Sequence, residues 1–205
     1  MEPIVQTILA EYENRSRDEW KVMETLSNAE MGARLDEFLL FIGPHTAKLL
    51  HLIATAAKSK TIVEIGASYG YSTIWLADAA RETGGTVHSL ELSEKKVEHA
   101  RGQLRRAGLD QYVQFHVGNA IETLAALPGP FDFVLLDLWK DLYVPCFELF
   151  HPKLAPNAFV AADNMIFPPN PKDQEAYKRA VRSKSDLESL LLPVGSGIEL
   201  SKKRA

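Results

Sequence analysis

The chain has 205 residues, 46% of them hydrophobic, and a formal net charge of −4 with acids and bases interspersed. That suits one well-packed domain and leaves too little for two. No basic stripe marks a nucleic-acid surface, because Lys202-Lys203-Arg204 is only a short solvated run. A single cysteine, Cys146, excludes an internal disulfide and a cysteine-based zinc knuckle. No run reaches the ~18 apolar residues of a membrane span. The start Met1-Glu2-Pro3 has no basic leader, so a soluble, cytoplasmic protein is expected.

In chain order, residues 3 to about 27 read as helix, with Ile4, Ile8, Tyr12, Trp20, Met23 and Leu26 near a helical period. Residues 28–32 read as a loop and 33–42 as a second helix. Gly43-Pro44 opens a third, with Leu49, Leu50, Ile53, Ala56 and Ala57 on one stripe. From residue 61 the chain alternates. Strands are expected at 61–65, 86–90, 112–117, 131–136 and 159–162, with helices at 72–82, after Ser93, at 120–127, near 143–150 and near 173–183. Residues 187–192 and 198–202 flank Pro193-Val-Gly-Ser-Gly197 and read as a hairpin. The fold expected is α/β: a doubly wound, mostly parallel seven-stranded sheet with a C-terminal antiparallel hairpin and N-terminal helices. It forms one domain, with residues 1–42 as a helical cap, substrate cover or dimer contact and 43–205 as the catalytic core.

Chemistry collects at the carboxyl ends of parallel strands. Phe131 to Leu136 ends in Asp137, and Phe159 to Ala162 ends in Asp163-Asn164. These are three hard oxygen donors on two strand ends that could lie side by side, a nest suited to Mg²⁺. Lys140 follows Asp137 by three residues. Either aspartate alone reads equally well as a helix or turn cap. At the other end of the alternation, Gly66-Ala-Ser-Tyr-Gly-Tyr-Ser72 follows the first strand, and Glu91 stands 25 residues beyond Gly66. An acid at that spacing can bind both ribose hydroxyls. The glycines are spaced Gly-x-x-x-Gly, without a pyrophosphate cradle, so a nucleoside such as S-adenosylmethionine fits better than a dinucleotide. Glu64 either faces the methionine portion or satisfies nearby backbone N–H groups. Gly118-Asn119-Ala120 is the natural place for adenine contacts.

With Glu64-Ile-Gly-Ala-Ser-Tyr-Gly-Tyr-Ser72, Glu91, Asp137-Leu-Trp-Lys-Asp-Leu-Tyr143 and Ala162-Asp-Asn-Met-Ile166 in hand, residues 40 to 203 resemble the catechol O-methyltransferase family of S-adenosylmethionine- and Mg²⁺-dependent enzymes. The resemblance implies that Asp137, Asp163 and Asn164 hold the metal and that Lys140 is the base. It implies cofactor contacts from Glu64, Gly66, Tyr69, Gly70, Ser72, Glu91, Leu92, Asn119, Ala120, Asp137 and Trp139. Substrate contacts would come from Trp139, Lys140, Asn164 and Glu188. Two positions depart from the family. Leu138 stands where the animal enzymes carry His, and Glu188 meets the family's second substrate-holding acid only if the hairpin is two residues longer; ungapped, Leu190 falls there. The partner implied is a small hydroxylated molecule, with a homodimer as an option and no nucleic acid or membrane.

Two other readings compete. Gly66-Ala-Ser-Tyr-Gly70 is formally Gly-x-Ser-x-Gly, so Ser68 with an Asp and His151 could form a hydrolase triad. Against it, the turn follows the first strand after an all-helical lead and lacks an oxyanion stretch. The second alternative is a protein that binds S-adenosylmethionine without turnover, which leaves Lys140 and the donors idle. Cys146, Tyr143, Asp141, Asp132 and the remaining histidines read as structural.

Overall fold

The computed structural model describes residues 1–34 and 37–205, Asn28 by its backbone alone. Seven strands, β1 (Thr61–Ile65), β2 (Thr86–Glu91), β3 (Val113–Val117), β4 (Phe131–Leu136), β5 (Leu154–Ala162), β6 (Leu187–Leu192) and β7 (Ile198–Lys203), form one sheet in the order β3-β2-β1-β4-β5-β7-β6. The first five are parallel, and β7 runs antiparallel to both β5 and β6. The α/β fold expected from the alternation is the fold observed. The chain winds outward from β1 to β3, then crosses back to place β4 on the other side of β1. That reversal opens a crevice between the ends of β1 and β4, where ligands bind in open sheets of this kind.

Because successive strand residues face opposite ways, the sheet carries two cores. Ile62, Val87, Phe133, Leu135 and Ala161 face α1 (Pro3–Met23), α3 (Pro44–Ala56), α4 (Tyr71–Thr83) and α5 (Glu94–Ala107). Val63, Ile65, Leu90, Val134, Leu136 and Val160 face α6 (Ala120–Ala126), α7 (Tyr143–Phe150) and α8 (Pro171–Arg182). Cys146 is buried in the second core, as its apolar surroundings predict. No helix among the described residues is long and apolar enough to cross a membrane.

The helical lead differs from expectation. The buried stripe of α1 is Val5, Ile8, Leu9 and Tyr12, whereas Ile4 and Trp20 are exposed. Residues expected to form a loop instead begin α2 (Asn28–Arg34). Ser27 and Glu30 form a capping box there: the Glu30 N–H donates to Ser27 Oγ at 3.3 Å and the Ser27 N–H to Glu30 Oε2 at 2.9 Å. Residues 33 and 34, expected to open a second helix, instead close α2; 35 and 36 lie outside the described residues, and 39–43 are irregular. Their backbone is tied elsewhere, with Leu39 N–H donating to Glu19 Oε2 (2.7 Å) and Leu39 O accepting from Ser68 Oγ (3.3 Å). β5 also begins earlier than its apolar run, since Leu154 pairs with Phe131 across a register shift.

Candidate active site

The backbone ladder runs one residue past the strands and fixes the site. Asp137 N–H donates to Ile65 O at 2.9 Å, and Asp163 N–H to Leu136 O at 3.1 Å. Asp137 and Asp163 therefore leave adjacent strands at one level. Asn164 turns away with φ 55°, and Gln174, nearly buried in α8, donates to Asn164 O at 2.7 Å from behind. Lys140 stands over this pair. Its Nζ donates to Asn164 Oδ1 (2.9 Å), Leu138 O (3.1 Å) and Tyr143 Oη (2.7 Å), with Asp137 Oδ1 3.9 Å away.

Burial dominates the electrostatics. It raises the Asp137 carboxyl and pushes Asp163 up to about 8, where the nearby Asp137 charge adds to the effect. Burial also lowers Lys140, against the pull of both aspartates. Asp163 is 1% exposed and its Oδ1 has no hydrogen-bond partner among the described residues. Two crowded carboxylates, one with an orphaned oxygen, and an amide oxygen make a donor set that fits a hard divalent cation such as Mg²⁺. Elsewhere, His51, Asp78 and Glu82 bring ligand atoms within 4.8 Å of one another, but Arg81 and the N-terminal ammonium already accompany those carboxylates.

The glycine turn lies beside Asp137. A cleft is lined by residues 39–42 with Gly66, Ala67, Ser68, Tyr69, Tyr71, Ser72 and Asp137. Gly66 (φ 97°) has a reason apart from any ligand: a Cβ there would run into the Asp137 carbonyl oxygen. A Cβ on Gly70 (φ 94°) would lie 2.6 Å from Ala100 Cβ in α5. Glu64 is fully buried against α4, accepting from Thr73 Oγ1 and Ser89 Oγ on one oxygen at 2.6 Å each, and its other oxygen has no hydrogen-bond partner among the described residues. Burial raises it to about 6. Glu91, at the end of β2, accepts Ser68 N–H on one oxygen (2.8 Å) and Ser93 N–H on the other (2.9 Å). Leu92 and Trp139 are exposed, at 75% and 62%. Asn119 Oδ1 caps α6 by accepting from Ile121 N–H at 2.8 Å, and Ala120 begins that helix.

Most predicted residues thus gather at one end of the sheet, and one does not. Glu188 pairs with Lys202, which pairs with Phe159, three residues back from the end of β5. It is exposed on the edge strand with Arg204 at 3.2 Å, so the expectation that it holds a substrate hydroxyl is corrected. The antiparallel register fixes this position, and residue spacing alone could not. The hydrolase alternative also fails on geometry. Ser68 Oγ donates to Leu39 O, while His151 pairs with Asp186 (3.0 Å) ahead of β5, at the opposite end of the sheet. Sequence reasoning missed Gln174 and the role of Tyr143 in this network. A buried glutamine one turn inside α8 carries no motif, and Tyr143 reads locally as a helix start.

Residues 63–165 match the methyltransferase domain family. The catechol O-methyltransferase of Niastella koreensis is 32% identical over 154 residues, covering 73% of this chain and 69% of that protein. That of Mycobacterium tuberculosis is 37% identical over 126 residues, 61% of this chain and 57% of the other, so the chain spans little more than half of that relative's length. Among solved structures, an O-methyltransferase from Bacillus cereus in complex with S-adenosylhomocysteine superposes with TM-score 0.75 at 25% identity, over 94% of this chain and 100% of the other. The O-methyltransferase TomG of Streptomyces achromogenes, in complex with S-adenosylmethionine, gives 0.74 at 26% identity, over 95% and 99%. With the doubly wound sheet, its crevice at the β1–β4 reversal and these relatives, the chain belongs to the catechol O-methyltransferase-like family of S-adenosylmethionine-dependent O-methyltransferases.

Proposed function

We propose that the enzyme methylates one hydroxyl of a small substrate bearing two adjacent oxygens, a catechol or similar vicinal dioxygen compound, with a divalent cation of the Mg²⁺ kind held by Asp137, Asp163 and Asn164. The observation that carries this reading is the meeting of Lys140 Nζ with Asn164 Oδ1 at 2.9 Å, 3.9 Å from Asp137 Oδ1. Held by Asp137, Asp163 and Asn164, the cation would supply Lewis-acid polarisation that lowers the pKa of the acceptor hydroxyl, and S-adenosylmethionine would supply the sulfonium methyl. The names of the two bacterial relatives support the acceptor class.

The remaining work falls to this chain. Lys140, whose burial favours the neutral amine, takes the hydroxyl proton on Nζ. As an ammonium it has three N–H groups and three acceptors waiting, Leu138 O, Tyr143 Oη and Asn164 Oδ1. Glu91, each oxygen steadied by one backbone N–H, keeps lone pairs for both ribose hydroxyls. The turn of Gly66, Tyr69, Gly70 and Ser72 and the carboxylate of Glu64 take the methionine end. Leu92, Asn119, Ala120 and Trp139 border the adenine, and Trp139 also meets the acceptor. Leu39 to Ile42 line the cleft beside that turn and would cover the cofactor there. Holding donor and acceptor in line supplies about 7–11 kcal/mol in favourable cases, more than one proton transfer contributes.

Mass spectrometry of catechols, caffeoyl-type phenols and other vicinal hydroxy aromatics, incubated with S-adenosylmethionine with and without Mg²⁺, tests the proposal. A metal-dependent gain of one methyl group is expected. Methylation of monophenols at the same rate in EDTA would refute it.

A further inference from the structure

Tyr143 begins α7 beneath the ends of β4 and β5. Its ring is 1% exposed and meets Tyr177 edge-on, centroids 5.4 Å apart. Its hydroxyl serves two partners: Oη accepts from Lys140 Nζ at 2.7 Å and donates to the Asp163 carbonyl oxygen at 3.0 Å. The amine also lies 4.4 Å from the centre of the same ring. Of the other two contacts of Nζ, Leu138 O belongs to the lysine's own loop, and Asn164 Oδ1 belongs to a half-buried side chain at the site's rim whose Nδ2 donates to Phe167 O at 3.2 Å. Tyr143 Oη is therefore the tie between the lysine amine and the β5 backbone that rests on a ring fixed by packing. A long flexible side chain needs such a tie to keep one position.

We propose that Tyr143 is a positioning residue that holds the Lys140 amine at a fixed spacing from Asp163 and Asn164. The inference rests on Lys140 being the base, the reading given under Proposed function. Tyr143 is buried beneath the site and acts through the lysine. Tyr177 supplies an internal control: it is 0% exposed, stacks in the same ring cluster, and its hydroxyl has no hydrogen-bond partner among the described residues. Loss of that hydroxyl should not move the amine.

The test compares Tyr143→Phe, Tyr177→Phe and Lys140→Met in the full chain, using Mg²⁺, S-adenosylmethionine and a catechol. A displacement of about 1 Å costs on the order of 100-fold, so Tyr143→Phe should lower kcat by roughly 10- to 100-fold. Its acceptor KM and cofactor Kd should stay within about twofold, and Tyr177→Phe should match the wild type. Added to Lys140→Met, Tyr143→Phe should cost nothing further. Wild-type kcat in Tyr143→Phe, a loss seen only in KM or cofactor affinity, equal losses in both tyrosine variants, or full additivity with Lys140→Met would each overturn the proposal. A crystal structure of Tyr143→Phe decides the same point without turnover. Lys140 should be displaced or spread over several conformers, and an unmoved amine beside Asn164 refutes the positioning role. Failure of the wild type to methylate any acceptor would instead count against the functional reading.

Discussion

Lys140 and Asn164 meet at 2.9 Å between Nζ and Oδ1, and that contact joins the exit of β4 to the exit of β5. The two strands reach the same level because their parallel register ends in Leu136 against Ala162. An amine, two carboxylates and an amide oxygen therefore crowd together at the strand ends, with Asp163 buried and Asp137, Lys140 and Asn164 half-buried. Such a cluster is costly to hold without a cation and well suited to one.

The first prediction concerns that cation. Asp163→Ala should abolish methyl transfer while cofactor affinity in calorimetry stays near that of the wild type, because the glycine turn and Glu91 lie on β1 and β2. EDTA should silence the wild type, and Mg²⁺ should restore it. Undiminished turnover in EDTA would remove the metal from the mechanism.

Lys140 comes next. Lys140→Met should lower kcat by roughly 10²–10⁴, the usual worth of a positioned base, and leave acceptor KM little changed. Acceptors with more acidic hydroxyls should lose least, since they ionise with less help. Equal losses across substituted catechols spanning several pKa units would mean that Lys140 only orients the substrate.

Glu91 accepts one backbone N–H on each oxygen, which aims the carboxylate before any ligand arrives. Glu91→Gln turns one acceptor into a donor facing Ser68 N–H or Ser93 N–H. Hydrogen bonds to a charged group contribute about 1.5–3 kcal/mol. Calorimetry should therefore show cofactor Kd raised roughly tenfold or more, with or without EDTA. An unchanged Kd would move the ribose elsewhere.

The alternation of apolar runs, the turn after β1 and the acids ending β4 and β5 were legible in the sequence because each is written in local pattern. Strand length and side-chain period leave little choice for Phe131 to Leu136. Placement decided by distant pairing was not legible. Glu188 lies in the right stretch of sequence but at the wrong height on the sheet, which only the register with β7 reveals. His88 and His116 show no motif spacing, yet parallel pairing of β2 and β3 brings Nδ1 and Nε2 to 3.1 Å. Residues 39–43 are apolar enough for a helix, but Glu19 and Ser68 claim the backbone of Leu39. The capping box at Ser27 and Glu30 was readable and marks the start of α2 where a loop was expected.

Glu64 supplies the last prediction, in which stability and binding oppose each other. Burial raises this carboxyl from 4.5 to about 6, even though Thr73 and Ser89 donate to it. The unfolded chain therefore loses the proton more readily than the folded one. The resulting penalty is absent below pH 4.5, grows as the pH rises towards 6, and is fully present above that. A shift of this size corresponds to about 2 kcal/mol at neutral pH. Glu64→Gln keeps an oxygen for the two hydroxyl donors and removes the charge, so it should raise Tm at pH 7 by several degrees and leave Tm nearly unchanged at pH 4. The same variant should weaken cofactor binding, since a neutral amide cannot offset the charge of the methionine portion. Thermal melts at both pH values with calorimetry at pH 7 check the pair. A Tm gain at pH 4 as large as at pH 7 would show that packing, not ionisation, sets the cost of Glu64. A gain at pH 7 with unchanged cofactor affinity would leave the carboxylate a structural role alone.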